Sequence, residues 1–182
     1  MAEFRYNIND QRWEDGSCYS VIDYSVSYDP IKNETTVTFG RTLTRVWGAE
    51  GTTSYETTTL TVRADDGGAT ASTTASASDY FWNYGFIVLQ PTPSPVSVTV
   101  KHSDVAGAKS VTISASTVLN YNGNESSSAS GSVTVATGER KGYYAIDDGS
   151  KILQCIPYID DGTQWLECIP YVDNGSNWVS GS

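Results

Sequence analysis

Paired carboxylates are the residues of this chain whose types and spacing could do chemistry. Adjacent acids occur as Asp65-Asp66, Asp147-Asp148 and Asp160-Asp161. Two carboxyl groups can serve as acid and base in glycoside hydrolysis, and clustered hard oxygen ligands can bind Ca²⁺. Each pair is followed by glycine, however, and that order is typical of a tight turn. We therefore predict that these acids form turns, and keep as weak calcium candidates Asp147, Asp148, Asp160 and Asp161.

His102 is the only histidine in the chain. It lies in the segment 102–108, which predicts a hairpin loop, so we expect its side chain to be solvated. The sequence contains no Gly-x-Ser-x-Gly elbow, no phosphate-binding loop and no pair of histidines at metal-ligand spacing. A zinc site is not expected with one imidazole. The sequence therefore predicts no catalytic residue, no cofactor and no enzymatic activity.

Aromatic side chains are better candidates for a binding role. Their rings can stack on the apolar faces of sugars while carboxamides hydrogen-bond the hydroxyl groups. The candidates are Trp165, Trp178, Tyr158 and Tyr171 near the C-terminus, with Trp82 and Tyr84 in the densest aromatic run, 80–89. The alternative for both groups is structural, with the rings forming the core of the repeat or of the preceding domain.

The C-terminal candidates belong to an internal repeat with a period of thirteen residues. Its units contain Ile146-Asp147-Asp148-Gly149, Ile159-Asp160-Asp161-Gly162 and Val172-Asp173-Asn174-Gly175. Asp-Gly and Asn-Gly favour tight reversals, because glycine tolerates positive φ. We predict a short β-meander over residues 144–182, with a strand of about nine residues in each unit.

The predicted meander needs a partner. Two or three short strands do not form an independently stable sheet. In the run 165–172, alternate positions are apolar on both faces, with Trp165, Ile169 and Tyr171 on one and Leu166, Cys168 and Val172 on the other. We therefore expect the tail to pack on the preceding domain, on sister copies or on another protein.

Short strands separated by turn residues precede the repeat. Alternating apolar and polar residues predict strands near 18–28, 35–47, 55–64, 96–101, 109–115 and 131–136. The small-residue run 69–78 is interpreted as a further strand, with a disordered segment as the alternative. Gly40 in the middle of the second strand predicts a bulge. This pattern is typical of an all-β fold, an immunoglobulin-like antiparallel β-sandwich. We divide the chain into an N-terminal arm or edge strand (1–16), the sandwich (17–137), a linker (138–143) and the repeats (144–182).

Composition excludes several function classes. The net charge of −10 argues against nucleic acid as a partner, because phosphate binding needs clustered Lys and Arg. No apolar run is long enough to insert in a membrane. Three cysteines form no even disulfide framework, and Cys155 and Cys168, at equivalent repeat positions, are interpreted as packing residues. The N-terminus lacks a signal-peptide core, so we expect release by lysis or within a particle.

Several segments resemble a β-sandwich module of minor structural proteins in tailed phages of the siphophage type from Gram-positive hosts. The segments are 24–29 with 33–38 and 98–104 with 109–116. Such modules contain an x-H-N-x-D-G-x-K loop and a V-x-I-x-A-S strand. Here Val111 to Ser116 matches the strand, whereas Ser103 replaces the Asn and the loop carries an insertion before Lys109. The Tyr-Ile/Val-Asp-Asp/Asn-Gly-Ser/Thr-x-Trp units are similar to C-terminal repeats of small phage virion proteins.

The resemblance implies a virion component, on the tail or decorating the capsid, assembled in the host cytoplasm and released by lysis. It implies other virion proteins as partners, a symmetric homo-oligomer with a trimer favoured, and contact with a host cell-surface glycan. It carries no catalytic residue. The alternative function is a free-standing carbohydrate-binding module or lectin.

Overall fold

The computed structural model describes residues 1–8, 17–104, 107–121, 125–140, 144–147, 152–155, 158–160, 162–167, 171–173 and 178–180. The regular elements in these ranges are all β-strands. In chain order they are β1 (Ala2–Asn7), β2 (Tyr19–Asp29), β3 (Glu34–Gly48), β4 (Thr53–Ala64), β5 (Thr70–Tyr80), β6 (Gly85–Leu89), β7 (Thr92–Ser94), β8 (Ser97–Lys101), β9 (Gly107–Tyr121), β10 (Glu125–Arg140), β11 (Tyr144–Asp147), β12 (Ile152–Cys155), β13 (Tyr158–Asp160), β14 (Trp165–Glu167), β15 (Tyr171–Asp173) and β16 (Trp178–Ser180). No helix among the described residues has the length and apolar character needed to cross a membrane.

Two five-stranded antiparallel sheets form a sandwich. The first sheet has the order β1-β2-β3-β6, with β8 also pairing with β3, and the second has the order β10-β9-β4-β5-β7. Alternating burial along β3 and β4 places one face of each sheet in the core. The predicted all-β sandwich is confirmed, whereas its immunoglobulin-like type stays a prediction.

The strand predicted from Thr35 to Trp47 is confirmed together with its bulge. The register of β2 against β3 shifts so that Gly40 and Arg41 together oppose Asp23. Arg41 Nε lies 3.6 Å from the Asp23 carboxylate across this bulge. The small-residue run that follows the third predicted strand is also a strand, β5.

Two apolar clusters occupy the space between the sheets. The larger contains Tyr6, Ile22, Tyr24, Val37, Phe39, Leu60, Val62, Ala64, Val98, Val100, Val111, Ile113 and Ala115. The smaller contains Ile8, Cys18, Val46, Phe81, Leu89 and Leu119. On β9, Ala115 belongs to the larger cluster and Leu119 to the smaller, and the buried Thr117 lies between them.

A buried polar layer centred on Glu56 separates the two clusters. Glu56 is 2% exposed, and its Oε1 accepts hydrogen bonds of 2.7 Å from both Thr44 and Thr58. Its Oε2 has no hydrogen-bond partner among the described residues. Burial raises the pKa of Glu56, although the two threonine hydroxyls act in the opposite direction.

Further hydroxyl groups extend this layer towards both sheets. Ser20 Oγ lies 2.7 Å from Thr44 Oγ1, and Thr117 Oγ1 lies 2.6 Å from Thr58 Oγ1. The Tyr6 hydroxyl, 2.5 Å from Thr117 Oγ1, ends the chain of contacts. Each hydroxyl can donate to the next one along the two chains that lead to Glu56. The last hydroxyl of each chain, on Thr44 and on Thr58, donates to the same carboxyl oxygen.

Replacing Glu56 by Gln is expected to remove a pH-dependent loss of stability. A carboxyl whose pKa is higher in the folded protein contributes fully below its unfolded pKa of about 4.3, and this contribution is lost as pH rises through the folded pKa. Urea unfolding between pH 4 and pH 8 should therefore show that the free energy of unfolding of Glu56→Gln increases relative to that of the wild type as pH rises. This difference changes by at most about 1.4 kcal/mol per pH unit. Glu50→Gln, at an exposed turn position, is the matched control, and a pH-independent difference for Glu56→Gln would contradict the assignment.

The connection between β8 and β9 is not a hairpin, so that prediction is wrong. β8 pairs with β3 in the first sheet, whereas β9 pairs with β4 and β10 in the second. The segment from residue 102 therefore crosses from one sheet to the other. Two alternating runs separated by a short polar segment do not specify whether they pair with each other.

The first sheet includes residues of the segment 1–16, for which the sequence predicts an arm or an edge strand. Ala2–Asn7 pair with β2 as an edge strand of the first sheet. At the other end, β10 continues to Arg140 and pairs with β9 on both sides of an irregularity at Thr137. The second sheet therefore runs past residue 137, into the segment assigned as a linker.

The C-terminal repeats form three separate two-stranded hairpins, β11-β12, β13-β14 and β15-β16. Strands of nine residues are wrong here, since β13 to β16 have three residues each. The run 165–172 is divided between two hairpins, and Pro157 and Pro170, which lack a backbone N–H for a ladder, fall between consecutive hairpins in the sequence. Gly162, in the second turn, has a φ of 88°, as its Asp-Gly turn predicts.

Candidate binding surface

The segment between β5 and β6 places one aromatic ring in the core and directs others outward. Phe81 is fully buried, and a Cβ on Gly48 would lie 2.2 Å from two atoms of its ring. The backbone of Phe81 is fixed by N–H···O bonds of 2.9 Å with Thr52 and Gly51. Since Phe81 is held on both counts, the residues next to it in the chain face away from the core.

Trp82 and Tyr84, both candidates from the sequence, are exposed. Their exposed fractions are 77% and 68%. The exposed carboxamide residue Asn83 lies between them in the chain. These two rings therefore do not serve as sandwich core, which was the alternative interpretation of Trp82.

Each of the two rings contacts a neighbour from a different sheet. Trp82 meets Tyr80 at the end of β5 edge to face, with ring centroids 4.8 Å apart. Tyr84 lies 6.2 Å from Trp47 of β3, and Trp47 is the cross-strand partner of Phe86. Tyr80 and Phe86 are each 39% exposed.

We call the rings at this end of the sandwich the aromatic patch; Trp47 is half-buried and the other members are exposed. Its members are Trp47, Tyr55, Tyr80, Trp82, Tyr84 and Phe86. Tyr55, which is 57% exposed, lies on β4, the neighbour of β5. Aromatic faces with a few hydrogen-bonding groups between them suit the apolar faces and hydroxyl rims of sugars.

Four members of the patch were not predicted from the sequence, namely Trp47, Tyr55, Tyr80 and Phe86, because the two faces of each strand at this end were not assigned. The signal that could have found them is whether a residue lies at an odd or an even position of its strand, since alternate residues face opposite sides. Tyr80 has the same parity as the exposed Ser76 and Ser78 on β5, and the opposite parity to the buried Ala75. Phe81 has the parity of the buried Ala75, so its burial continues this alternation past the end of β5 at Tyr80.

The opposite end of the sandwich contains a buried polar cluster, and the prediction of a solvated His102 is wrong. His102 is 4% exposed. Its backbone N–H donates to Asn33 at 2.9 Å, and Asn33 Nδ2 donates to the carbonyls of His102 and Asp104 at 3.2 and 2.7 Å. His102 is buried because its segment crosses between the sheets and is tied to the turn that ends at Asn33, which has a φ of 58°.

Asp66 is the anionic centre of this cluster. Its Oδ2 lies 3.4 Å from His102 Nδ1 and 3.6 Å from Nζ of Lys109, which is 2% exposed. Desolvation raises the pKa of Asp66, but hydrogen bonds from the N–H groups of Asp104, Ser103 and Gly68, with the nearby His102, more than offset this and hold it below its usual value. The turn predicted at Asp65-Asp66-Gly67 is confirmed, and Asp66 also links that turn to the 102–104 segment.

Asp66, His102 and Thr35 follow the order of a hydrolase triad. Thr35 Oγ1 lies 2.8 Å from His102 Nε2 and also donates to Thr137 at 3.2 Å. A triad hydroxyl must reach a substrate carbonyl, yet Thr35 is fully buried. The arrangement therefore joins the ends of strands and offers no reacting atom to a substrate.

The C-terminal candidates are described by their backbones only. Asp160 is the cross-strand partner of Trp165, and Asp173 is that of Trp178, while Tyr158 and Tyr171 begin β13 and β15. The calcium candidates Asp147 and Asp160 end β11 and β13, whereas Asp148, Asp161 and Cys168 lie outside the described residues. The described part of the chain contains no group of three or more His, Cys, Asp or Glu side chains placed to hold a metal ion.

Comparison with protein-family models, curated proteins and solved structures found no match to this chain.

Alanine substitutions at Phe81, Trp82 and Tyr84 should distinguish the ring that fills the core from the two rings on the surface. Phe81→Ala is expected to lower the free energy of unfolding by about 3–5 kcal/mol, because it empties a buried site. Trp82→Ala and Tyr84→Ala should change it by no more than about 0.5 kcal/mol, because neither ring fills the core. Urea denaturation measures all three, and a cost for Trp82→Ala equal to that of Phe81→Ala would contradict the outward placement.

Proposed function

We propose that the chain is a non-enzymatic structural protein displayed on the outside of a tailed-phage particle, where the aromatic patch contacts a host-surface glycan. The observation that carries the contact role is the aromatic patch itself. Trp82 and Tyr84 are largely exposed on a short segment whose backbone is fixed by the buried Phe81. Exposed rings of this size are costly to keep in water unless they serve an interface.

The geometry suits recognition without catalysis. The patch offers ring faces and the Asn83 carboxamide, while the buried Asp66–His102–Thr35 arrangement at the other end has no access for a substrate. Rings that are pre-positioned by a rigid scaffold lose little conformational entropy on binding. A sandwich with such a surface therefore suits a protein that binds a ligand without converting it.

The particle location is supported by the sequence resemblance to siphophage minor structural proteins, by the turn repeats and by the acidic composition. A net charge of −10 favours a soluble surface that does not bind nucleic acid. The three hairpins of the C-terminal region are each too small to be stable alone. They are proposed to pack against other virion proteins or sister copies in a homo-oligomer, most simply a trimer.

Mass spectrometry of purified particles tests the location. The proposal expects peptides of this chain at structural-protein abundance in particles that have been separated from the lysate. Abundance in the lysate with absence from washed particles would refute it. The proposal also includes release by lysis, which the same lysate and particle fractions test.

A free-standing carbohydrate-binding module is the second candidate, and the same aromatic patch favours it. A glycan array with Trp82→Ala and Tyr84→Ala, and with Trp165→Ala and Trp178→Ala in the tail, separates the roles. Ile31→Ala is the control, because Ile31 is 76% exposed and precedes the start of β3, whereas the patch lies at its other end. Sugar binding by the free protein that is lost in the sandwich variants, together with absence from particles, would favour the module.

A further inference from the structure

Two arginine side chains stack on aromatic rings beside the patch. The Arg45 guanidinium carbon lies 3.9 Å from the ring centroid of Phe86, and that of Arg5 lies 3.7 Å from the centroid of Tyr19. Tyr19 and Arg45 are cross-strand partners on β2 and β3. The two stacks are therefore neighbours on the outer face of the first sheet, continuous with Trp47 and Phe86.

Arg45 differs from other arginines of this acidic chain. Arg41 and Arg63 lie 3.6 and 3.7 Å from the carboxylates of Asp23 and Asp65. The contacts of Arg45 within the described residues are instead the Phe86 ring and the Ser17 carbonyl, at 3.4 Å. Among the residues that the structure describes, no carboxylate forms an ion pair with this half-buried guanidinium.

Stacking leaves the hydrogen-bonding edge of the guanidinium available. A ring below the cation contacts its π face, whereas the N–H groups point outward in the plane. That planar fork matches the two oxygens of a carboxylate. One N–H group of Arg45 donates to the Ser17 carbonyl, and the remaining N–H groups can donate to a planar anion beside the aromatic patch.

The overall charge restricts the kind of anion that fits. With a net charge of −10, the protein repels a polyanion at long range. Attraction therefore has to come from direct contact, in which ring stacking and a guanidinium–carboxylate pair act together. A sugar ring bearing a carboxylate provides both groups within one residue.

We propose that the aromatic patch and Arg45 recognise a carboxylate-bearing polysaccharide, in which the sugar ring stacks on Trp47, Phe86 or Tyr84 and the carboxylate pairs with Arg45. This inference rests on the proposed glycan contact and specifies its substrate class. Arg45 gives the patch a preference for acidic over neutral sugars of the same shape.

The test compares uronic-acid polymers with their carboxyl-reduced counterparts, which keep the same backbone and linkages. Polygalacturonate and polymannuronate, each with its reduced form, are immobilised, and binding of the full chain is measured by biolayer interferometry. The expected result for at least one pair is a dissociation constant about tenfold lower for the acidic form, equivalent to about 1.4 kcal/mol. Arg45→Gln should abolish this preference, because it removes the group that pairs with the carboxylate.

Two further variants control for charge and folding. Arg63→Gln removes an arginine that already has a carboxylate and should keep the preference. Arg45→Lys retains the charge without the planar fork, and should keep only part of it. Urea unfolding confirms that each variant is folded.

Three outcomes overturn the inference. Equal binding to both members of every pair would show glycan contact without selection for acid, and would leave the proposed function standing. A preference that survives in Arg45→Gln would assign it to another group. Binding to no polymer would refute this substrate class, while the presence of the chain in particles tests the proposed function independently.

Discussion

Phe81 packs where a side chain on Gly48 would otherwise lie, and this contact decides which aromatic residues of the chain face solvent. Because the ring is enclosed by the smaller apolar cluster, the flanking segment cannot rotate to bury Trp82 or Tyr84 in its place. The same contact fixes the end of β3, and with it Trp47. Exposure of the patch is thus a consequence of core packing.

The two ends of the sandwich use polar and aromatic groups in opposite ways. At the end that contains Asp66 and His102, charged and polar side chains are buried and bonded to the segments that cross between the sheets. At the other end, rings remain exposed although burial would be favourable for each of them. The Glu56 layer lies between the two clusters, so the core itself contains a buried carboxyl that lowers stability at neutral pH.

The strands could be predicted from sequence to the extent that alternation defines them. β2, β3 and β4 and the Gly40 bulge follow directly from apolar periodicity and from the conformational freedom of glycine. Pairing could not be predicted, because the alternation of β8 is equally compatible with β3 or with β9 as a neighbour. The incorrect prediction of a solvated His102 follows from this ambiguity, because it assumed that β8 and β9 form a hairpin.

The candidate site was predicted only in part, for a related reason. Trp82 and Tyr84 stood out as rings in an aromatic run, but a run of consecutive rings does not reveal which one enters the core. Arg45 and Trp47 looked like ordinary strand residues, since the pairing of β3 with β6 brings their ring partners Phe86 and Tyr84 to them. In the tail, the Asp-Gly turn before β14 was informative, because Gly162 has the positive φ that such a turn needs.

Hydroxyl-radical footprinting tests the central claim most directly, namely that the sandwich presents its aromatic patch as a binding surface. The account predicts rapid oxidation of Trp82 and Tyr84 in the free protein and slow oxidation of Phe81, since reactivity follows solvent exposure. It also predicts that Trp82 and Tyr84 become protected when host cell-surface glycan is added, while the distant exposed Ile31 does not. Slow oxidation of Trp82 in the free protein would contradict the account. So would unchanged oxidation of Trp82 and Tyr84 when the protein is bound to the host cell-surface glycan.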